Sequence, residues 1–206
     1  MEDTYFVTIP EEGNFQLPNP ELLTYYKNLE NREYWIEDEI TNETLELVRL
    51  IIQWNQEDRN IDPIDRKPIK IFFNSFGGML DVAYTLYDII RMSKTPVIGI
   101  NIGYCASAAA YIFIACHQRK MIKHSYFIFH QGSMNGLSGE YKQIVASIED
   151  YQEQVKELSS LIKERTLYTD DEIAKNIINE WYIRQEEALE KGVVQAIIND
   201  MEGIIN

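Results

Sequence analysis

One serine in this sequence lies among unusually small side chains. The segment IGINIGYCASAAAYIF, residues 98–113, surrounds Ser107 with glycine and alanine. At a junction between a strand and a helix, unpaired backbone N–H groups and the helix dipole stabilise negative charge, which an attacked carbonyl develops. The small neighbours leave room for a substrate backbone, although they also permit close packing of the helix on a sheet. Ser107 is therefore a candidate nucleophile, and its alternative role is a helix N-cap.

A nucleophilic serine needs a base, and the chain has three histidines, His117, His124 and His130. We interpret the charged segment CHQRK around His117 as a loop and place His124 at the start of a strand. His130 ends the apolar run SYFIF, where its side chain can reach the end of a neighbouring strand. On position we prefer His130 as the base, and the alternative is a histidine that only forms a hydrogen bond at a strand end. No histidine pair shows metal-ligand spacing, so the sequence indicates neither a metal nor a cofactor.

A pair of glycines follows the strand that precedes the serine segment. The pair belongs to SFGG, residues 75–78. In a parallel sheet it lies at the same edge as Ser107, where α/β proteins bind their ligands. Adjacent glycines can direct a backbone N–H into a cleft, although they are also common in plain turns.

The two cysteines, Cys105 and Cys116, are too few for a disulfide framework. We predict that both are reduced packing residues. Cys105 lies two positions before Ser107, which leaves a nucleophilic role open for its thiol.

The elements that must position these residues alternate between strands and helices, which predicts a single α/β domain of βαβ type, residues 33–206, after an N-terminal arm, residues 1–32. The predicted strands are EYWI at 33–36, IKIFFN at 69–74, TPVIGINIG at 95–103, KHSYFIF at 123–129 and a terminal VVQAI at 193–197. The predicted helices cover 21–27, 41–54 with a cap at Thr41 or Asn42, 79–93, 107–116, about 137–165 after a turn at Asn135-Gly136, and a stretch from Asp170. The helix at 137–165 is longer than one small core usually covers, so we expect part of it to pack on another subunit.

The composition is that of a globular protein with a strong negative charge. The chain has 206 residues, 45% of them hydrophobic, and a formal net charge of −14, so phosphate backbones would be repelled. No apolar run approaches the ~20 residues that span a bilayer, and the N-terminal MEDTYFVTIPEEG lacks the basic and apolar regions of a signal peptide. We therefore expect a cytoplasmic protein that binds neither nucleic acid nor a membrane.

Several of these segments together resemble the proteolytic subunit of the Clp protease, the ClpP family. From about residue 33 to 198, SFGG resembles the SPGG of that family, GYCASAAA its nucleophile segment, FHQ its IHQ, and EEALEKGVV its C-terminal stretch. The resemblance implies a ClpP/crotonase-like fold of repeated β-β-α and βαβ units, with residues 137–165 as a long handle helix. It also implies serine endopeptidase activity on unfolded proteins and peptides, without metal or cofactor.

The resemblance also assigns the site residues. It makes Ser107 the nucleophile, His130 its base, and the backbone N–H groups of Gly78 and Ala108 the donors to the oxyanion. The third triad position, an aspartate in the family, falls on Asn176, and nearby Asp170, Asp171 and Glu180 are weaker substitutes. An asparagine can accept the histidine ring N–H but supplies no negative charge. The chain departs further from the family at three positions: Phe76, Ala109 and Gly132.

The resemblance implies an assembly of heptameric rings, two of them stacked, built from this chain alone or mixed with a sister subunit. The N-terminal arm does not resemble the segment through which the family meets its ATPase unfoldase, so the resemblance does not extend to that partner. Two other functions are open. One is a catalytically weak or silent structural subunit, which Asn176 favours. The other is a crotonase-type acyl-CoA enzyme, since glycine-built oxyanion holes also suit enolates.

Overall fold

One seven-stranded sheet organises the protein, in a computed structural model that describes residues 19–132 and 138–205. The strands are β1 (Glu33–Ile36), β2 (Ile69–Ser75), β3 (Val97–Ala106), β4 (Gln118–Ile122), β5 (Tyr126–Phe129), β6 (Trp181–Ile183) and β7 (Ala196–Ile198). The helices are α1 (Pro20–Glu30), α2 (Glu46–Glu57), α3 (Leu80–Met92), α4 (Ala108–Ala115), α5 (Tyr141–Arg165), α6 (Asp170–Asn176), α7 (Gln185–Glu190) and α8 (Glu202–Ile205).

The central strand β3 changes its partner halfway along its length. Strands β1, β2, β3, β4 and β7 lie parallel in that order, and β4 pairs with residues 98–101 of β3. Residues 104–106 of β3 pair instead with β5, which also pairs with the antiparallel β6. At the change, the Asn101 side chain accepts from Gly103 N–H at 3.1 Å and donates to Tyr126 O at 2.9 Å. This fork brings the end of β3 beside the end of β5.

The helix that follows β3 is wholly inside the protein. All eight residues of α4, Ala108–Ala115, are buried, and α4 contacts α3, α5 and the sheet. A helix that is apolar on every side is typical of such an interior position. The small side chains after Ser107 therefore do serve close packing, as the sequence allowed.

A smaller apolar cluster lies apart from the main core. Its buried members are Phe72, Ile98, Ile100 and Ile198, and Ile204 of α8 packs against them. Lysine side chains hold the carbonyl end of α8: Lys70 Nζ donates to Ile204 O and Lys120 Nζ to Gly203 O, each at 3.1 Å. Cations are favourable at a helix C-terminus, so these contacts fix α8 over the cluster.

The predicted alternation of strands and helices is confirmed, with corrections in the second half of the sheet. The segment QRKMI forms β4, which the sequence did not predict because its polar residues mask the strand pattern. As a consequence β5 begins only at Tyr126, and His124 lies in the turn before it, so the placement of His124 in a strand was wrong. Strand β6 was also missed, and the first helix is longer than predicted at both ends.

The long helix is confirmed over 25 residues, Tyr141–Arg165. Residues 138–140 precede it without helical structure, while residue 137 and the predicted Asn135-Gly136 turn lie outside the described residues. Only Leu158 and Ile162, both in its C-terminal half, are buried. Among the residues that the structure describes, no helix has both the length and the apolar composition needed to cross a bilayer.

Candidate active site

Ser107 occupies a strained turn between β3 and α4. Its backbone φ is 51° and ψ is −130°, a region that residues other than glycine seldom adopt and that costs of the order of 1–3 kcal/mol. Its N–H donates to Ile128 O at 2.9 Å. The hydroxyl makes no capping bond to α4, so the helix-cap interpretation of this side chain was wrong.

The hydroxyl of Ser107 instead meets the imidazole of His130. The distance between Ser107 Oγ and His130 Nε2 is 2.7 Å. The pairing of β3 with β5 explains the meeting, because two parallel strands end side by side and His130 directly follows β5. The two candidates chosen from the sequence therefore lie in hydrogen-bonding contact.

The other two histidines take no part in this site. His117 precedes β4, and its Nδ1 accepts from Val97 N–H at 3.0 Å. Burial lowers the pKa of His117, which keeps this ring neutral and suited to accepting that bond. His117 lies outside the strands, as predicted, and its hydrogen bond joins the residue before β4 to the start of β3. His124 lies in the turn between β4 and β5.

The glycine pair lies directly against the serine. A Cβ atom on Gly77 would come within 2.7 Å of Ser107 Cβ, and one on Gly78 within 2.3 Å of Ile40 O. Both glycines have positive φ, 102° and 150°, which side chains disfavour. A larger residue at position 77 would therefore collide with Ser107, and one at position 78 would collide with the backbone of Ile40.

Two backbone N–H groups beside the serine have no acceptor within residues 19–132 and 138–205. They belong to Gly78 and to Ala108, the first residue of α4. Ser75 Oγ accepts from Gly77 N–H at 3.1 Å, which holds the glycine turn at the end of β2. Such exposed donors at a helix N-terminus and in a glycine turn suit a developing negative charge.

Asn176 is the last residue of α6 and does not bind the His130 ring in this structure. Its Nδ2 donates to Glu172 O at 2.8 Å. The two residues are nevertheless linked through the backbone, since Gln131 N–H donates to Ile177 O at 2.9 Å. Within the described residues, Asn176 Oδ1 and His130 Nδ1 both lack a hydrogen-bond partner.

The acidic residues considered as substitutes are engaged elsewhere. Asp170 forms an ion pair with Lys163, and Glu180 accepts from Tyr182 O–H at 2.7 Å. Asp171 lies in the first turn of α6, whose cap is the Thr169 hydroxyl. None of the three contacts His130 among the described residues.

The thiol of Cys105 is unsuited to nucleophilic attack. Cys105 is fully buried, and burial raises its pKa well above the usual value for a thiol. Cys116 is likewise buried, and its pKa is raised to about 12. Both cysteines are free packing residues, as the sequence predicted.

Two tyrosines near the site were missed by sequence reasoning. Tyr111 of α4 donates its hydroxyl to His130 O at 3.1 Å, and Tyr151 of α5 donates to Gly132 O at 3.1 Å. The available signal was a single hydroxyl in the otherwise apolar helix AAAYIFIA, because a buried tyrosine usually finds a hydrogen-bond partner.

A serine–histidine pair at the carboxyl edge of a parallel sheet, beside two free N–H groups, is the kind of site that serine hydrolases use on α/β folds. The model of the Clp protease family matches residues 21–201, and the chain belongs to that family.

Named relatives and a solved structure agree with this assignment. The ATP-dependent Clp protease proteolytic subunit 2 of Treponema pallidum is 28% identical over 181 residues, which are 86% of this chain and 87% of that protein. The proteolytic subunit 3 of Rhizobium meliloti is 30% identical over 138 residues, 66% of this chain and 70% of that protein. A solved asparagine-to-aspartate mutant of ClpP1 from Listeria monocytogenes matches with a TM-score of 0.74 at 24% identity, covering 88% of this chain and 99% of that one. The fold is therefore that of ClpP.

Proposed function

We propose that the protein is a serine endopeptidase subunit that cleaves unfolded proteins and peptides inside a ring-shaped assembly. The observation that carries the proposal is the 2.7 Å contact between Ser107 Oγ and His130 Nε2. A hydroxyl in this position is activated by the neighbouring base, since its own pKa is far too high for attack at neutral pH. The family assignment supports the same activity.

The proposed reaction follows the acyl-enzyme route. His130 Nε2 takes the proton of Ser107 as the serine oxygen bonds to the scissile carbonyl carbon. The resulting oxyanion accepts from the N–H groups of Gly78 and Ala108. The imidazolium then donates its proton to the leaving amine as the C–N bond breaks, and water hydrolyses the acyl-enzyme with His130 again as base.

Asn176 is the proposed third member of this triad. Neither Asn176 Oδ1 nor His130 Nδ1 has a partner among the described residues, so the two atoms can serve as acceptor and donor. The Gln131–Ile177 backbone bond keeps their segments together. If the Asn176 amide turned from Glu172 O to the His130 ring, the new hydrogen bond would fix the tautomer whose Nε2 accepts the serine proton. The amide cannot neutralise the imidazolium, so we expect turnover to be slower than with a carboxylate.

We further propose that the active form is an assembly of two heptameric rings. The relatives are named as subunits, and as ATP-dependent, which favours multimeric action and leaves an ATPase partner as a candidate. The N-terminal half of α5 supports assembly, because it presents apolar residues such as Ile148, which the described chain leaves 41% exposed. Purifying this chain alone and measuring whether it forms rings tests whether the rings contain one chain type or two.

The direct test is labelling with a fluorophosphonate, which reacts with activated serines and is read by intact mass. We expect stoichiometric labelling of the assembled protein, and its loss in both Ser107→Ala and His130→Ala. Ser133→Ala, a serine near the site in sequence that the proposal does not use, should label normally.

The alternatives give different results in the same experiment. Correctly assembled rings that do not label would contradict the peptidase proposal and favour a silent structural subunit. Binding of coenzyme A in place of labelling would favour a crotonase-type enzyme.

A further inference from the structure

Two tyrosine hydroxyls from different helices converge on the three residues that begin with His130. Tyr111 O–H donates to His130 O at 3.1 Å. Tyr151 O–H donates to Gly132 O at 3.1 Å and lies 3.4 Å from Gln131 O. Three consecutive carbonyl oxygens are thus within reach of side-chain donors, although this segment belongs to no strand or helix.

The first of these donors is held rigidly. Tyr111 is 1% exposed, and its ring packs edge-to-face against Phe129 at a centroid distance of 5.6 Å. It lies in the first turn of α4, the helix that begins immediately after Ser107. Burial raises its pKa above the usual value, so the hydroxyl remains a neutral donor at any working pH. Tyr111 therefore connects the element of the nucleophile with the backbone of the base.

The peptide group that follows His130 is hydrogen-bonded through both its C=O and its N–H. The peptide between His130 and Gln131 has its C=O bound by Tyr111 and its N–H bound by Ile177 O at 2.9 Å. A peptide plane with both polar groups fixed cannot rotate without breaking a hydrogen bond. The Cα of His130 is attached to that plane, so its ring has a defined origin from which to reach Ser107.

Tyr151 extends the same restraint to the long helix. It is half-buried on α5, and its two carbonyl contacts lie one and two residues beyond His130. Residues 131 and 132 are thereby held against α5.

We propose that Tyr111 and Tyr151 are positioning residues, which hold His130 at the distance and orientation needed to take the Ser107 proton. This inference rests on the proposed peptidase function. A displacement of about 1 Å at a proton-transfer pair can reduce a rate about 10²-fold, and loss of one restraint among several should have a smaller effect.

The test compares Tyr111→Phe with Tyr84→Phe in assembled protein. Tyr84 is a matched control, because its hydroxyl also donates to a backbone carbonyl, Gln154 O on α5 at 3.3 Å, but makes no hydrogen bond to residues 130–132. We expect Tyr111→Phe to lower the rate constant of fluorophosphonate labelling at saturating probe roughly tenfold, with the final labelled fraction and the probe concentration for half-maximal rate unchanged. Tyr84→Phe should label at the wild-type rate.

The division between rate and labelled fraction separates positioning from folding. If the two tyrosine hydroxyls only stabilised the fold, Tyr111→Phe and Tyr84→Phe would both reduce the labelled fraction or the thermal midpoint. Tyr151→Phe should slow labelling about threefold. In the double variant, the reduction in labelling rate should be smaller than the product of the two single reductions, because both hydroxyls restrain one segment.

The outcomes also separate this inference from the proposed function. If the wild-type protein does not label, the peptidase function itself fails. If the wild-type protein labels and Tyr111→Phe labels at the same rate, the peptidase function stands and the positioning role is overturned.

Discussion

The most unusual residue of the candidate site is a neutral amide where a carboxylate would be expected. In the proposed triad, Asn176 would orient the His130 ring but could not stabilise the positive charge that the ring would acquire during attack. In this structure its amide is bound to Glu172 O, so orientation itself requires a side-chain rotation. In the proposed mechanism, both features would therefore limit proton transfer by His130 and not the position of Ser107.

Replacing Asn176 by aspartate should therefore accelerate the reaction. For Asn176→Asp we expect at least a tenfold faster fluorophosphonate labelling, within the ~10⁴-fold range that the third residue can contribute, because a carboxylate would stabilise the imidazolium. The rate is measured by mass at several probe concentrations. Asn179→Asp, which adds the same charge on an exposed residue three positions away, should have no such effect.

A companion substitution tests whether Asn176 is the third member at all. Asn176→Ala should slow labelling, since the ring would lose its proposed orienting partner. Unchanged rates in both Asn176 variants would mean that a different group holds His130 Nδ1.

At the scale of single elements, α5 is divided into two halves with different environments. Its C-terminal half buries Leu158 and Ile162 against the subunit, whereas Ile148 and Tyr141 in the first half are 41% and 81% exposed. A helix that leaves apolar side chains in solvent is typical of an element that packs on a partner.

A charge on the exposed apolar side of α5 should disrupt assembly without unfolding the subunit. For Ile148→Asp we expect sedimentation velocity to shift to smaller species, because an aspartate would be desolvated at the proposed contact, while circular dichroism stays that of the wild type. Gln152→Asp places the same charge at another exposed position of α5. Full-sized assemblies in Ile148→Asp would place the ring contact elsewhere.

The elements show how far the sequence could predict the fold and the site. The elements β2, β3 and α4 could be predicted, because segments that are buried on both faces appear in the sequence as continuous apolar runs. Strand β4 was not, because QRKMI is mainly polar and is held instead by pairing and by the buried guanidinium of Arg119, which donates to Ile114 O and Val193 O. Ser107 and His130 could be paired from strand order, since parallel strands end at one edge.

The remaining details depend on three-dimensional contacts that no local pattern encodes. The fork of β3 depends on Asn101, whose role is visible only once β5 lies beside it. The hydroxyl contacts of Tyr111 and Tyr151 join residues about 20 positions apart in the sequence. The resemblance placed the third triad position at Asn176, whereas the side-chain partner of Asn176 in the structure is the carbonyl of Glu172, four residues earlier on the same helix.

At the scale of the whole molecule, the chain carries 33 acidic and 19 basic residues. Among the residues that the structure describes, the buried acidic residue is Asp58. Asp58 is 1% exposed and accepts from Arg32 at 2.7 and 2.9 Å and from Thr95 O–H at 2.7 Å. The Arg32 hydrogen bonds are the main reason that the pKa of Asp58 lies below its usual value. This pair joins the start of β1 to the end of α2.

The lowered pKa of Asp58 predicts how stability depends on pH. A carboxyl whose folded-state pKa is depressed contributes stability above its unfolded pKa of about 3.9, and loses it as pH falls through the lower folded value. We expect Asp58→Asn to lower the free energy of unfolding by roughly 3 kcal/mol at pH 7, because Arg32 would lose its buried counter-charge. The difference in the free energy of unfolding between Asp58→Asn and the wild type should become smaller below about pH 4.

Urea unfolding at a fixed protein concentration, at pH 7 and pH 3, provides the measurement. Asp65→Asn removes an equal charge from an exposed position and should change little at either pH. A gap that is the same at both pH values would show that the charge of Asp58 is not what stabilises the fold.

The hydrogen bond from Ser107 N–H to Ile128 O also has a consequence for the order of events during biosynthesis. The strained backbone at Ser107 is held by a strand that is translated 21 residues later, as the residue numbers of the bond show. A ribosome-bound chain that ends before β5 lacks both this restraint and His130. The proposed Ser107–His130 pair therefore cannot form before β5 has been made, when five of the seven strands are complete. Until that point the growing polypeptide would lack the base that the proposed reaction needs.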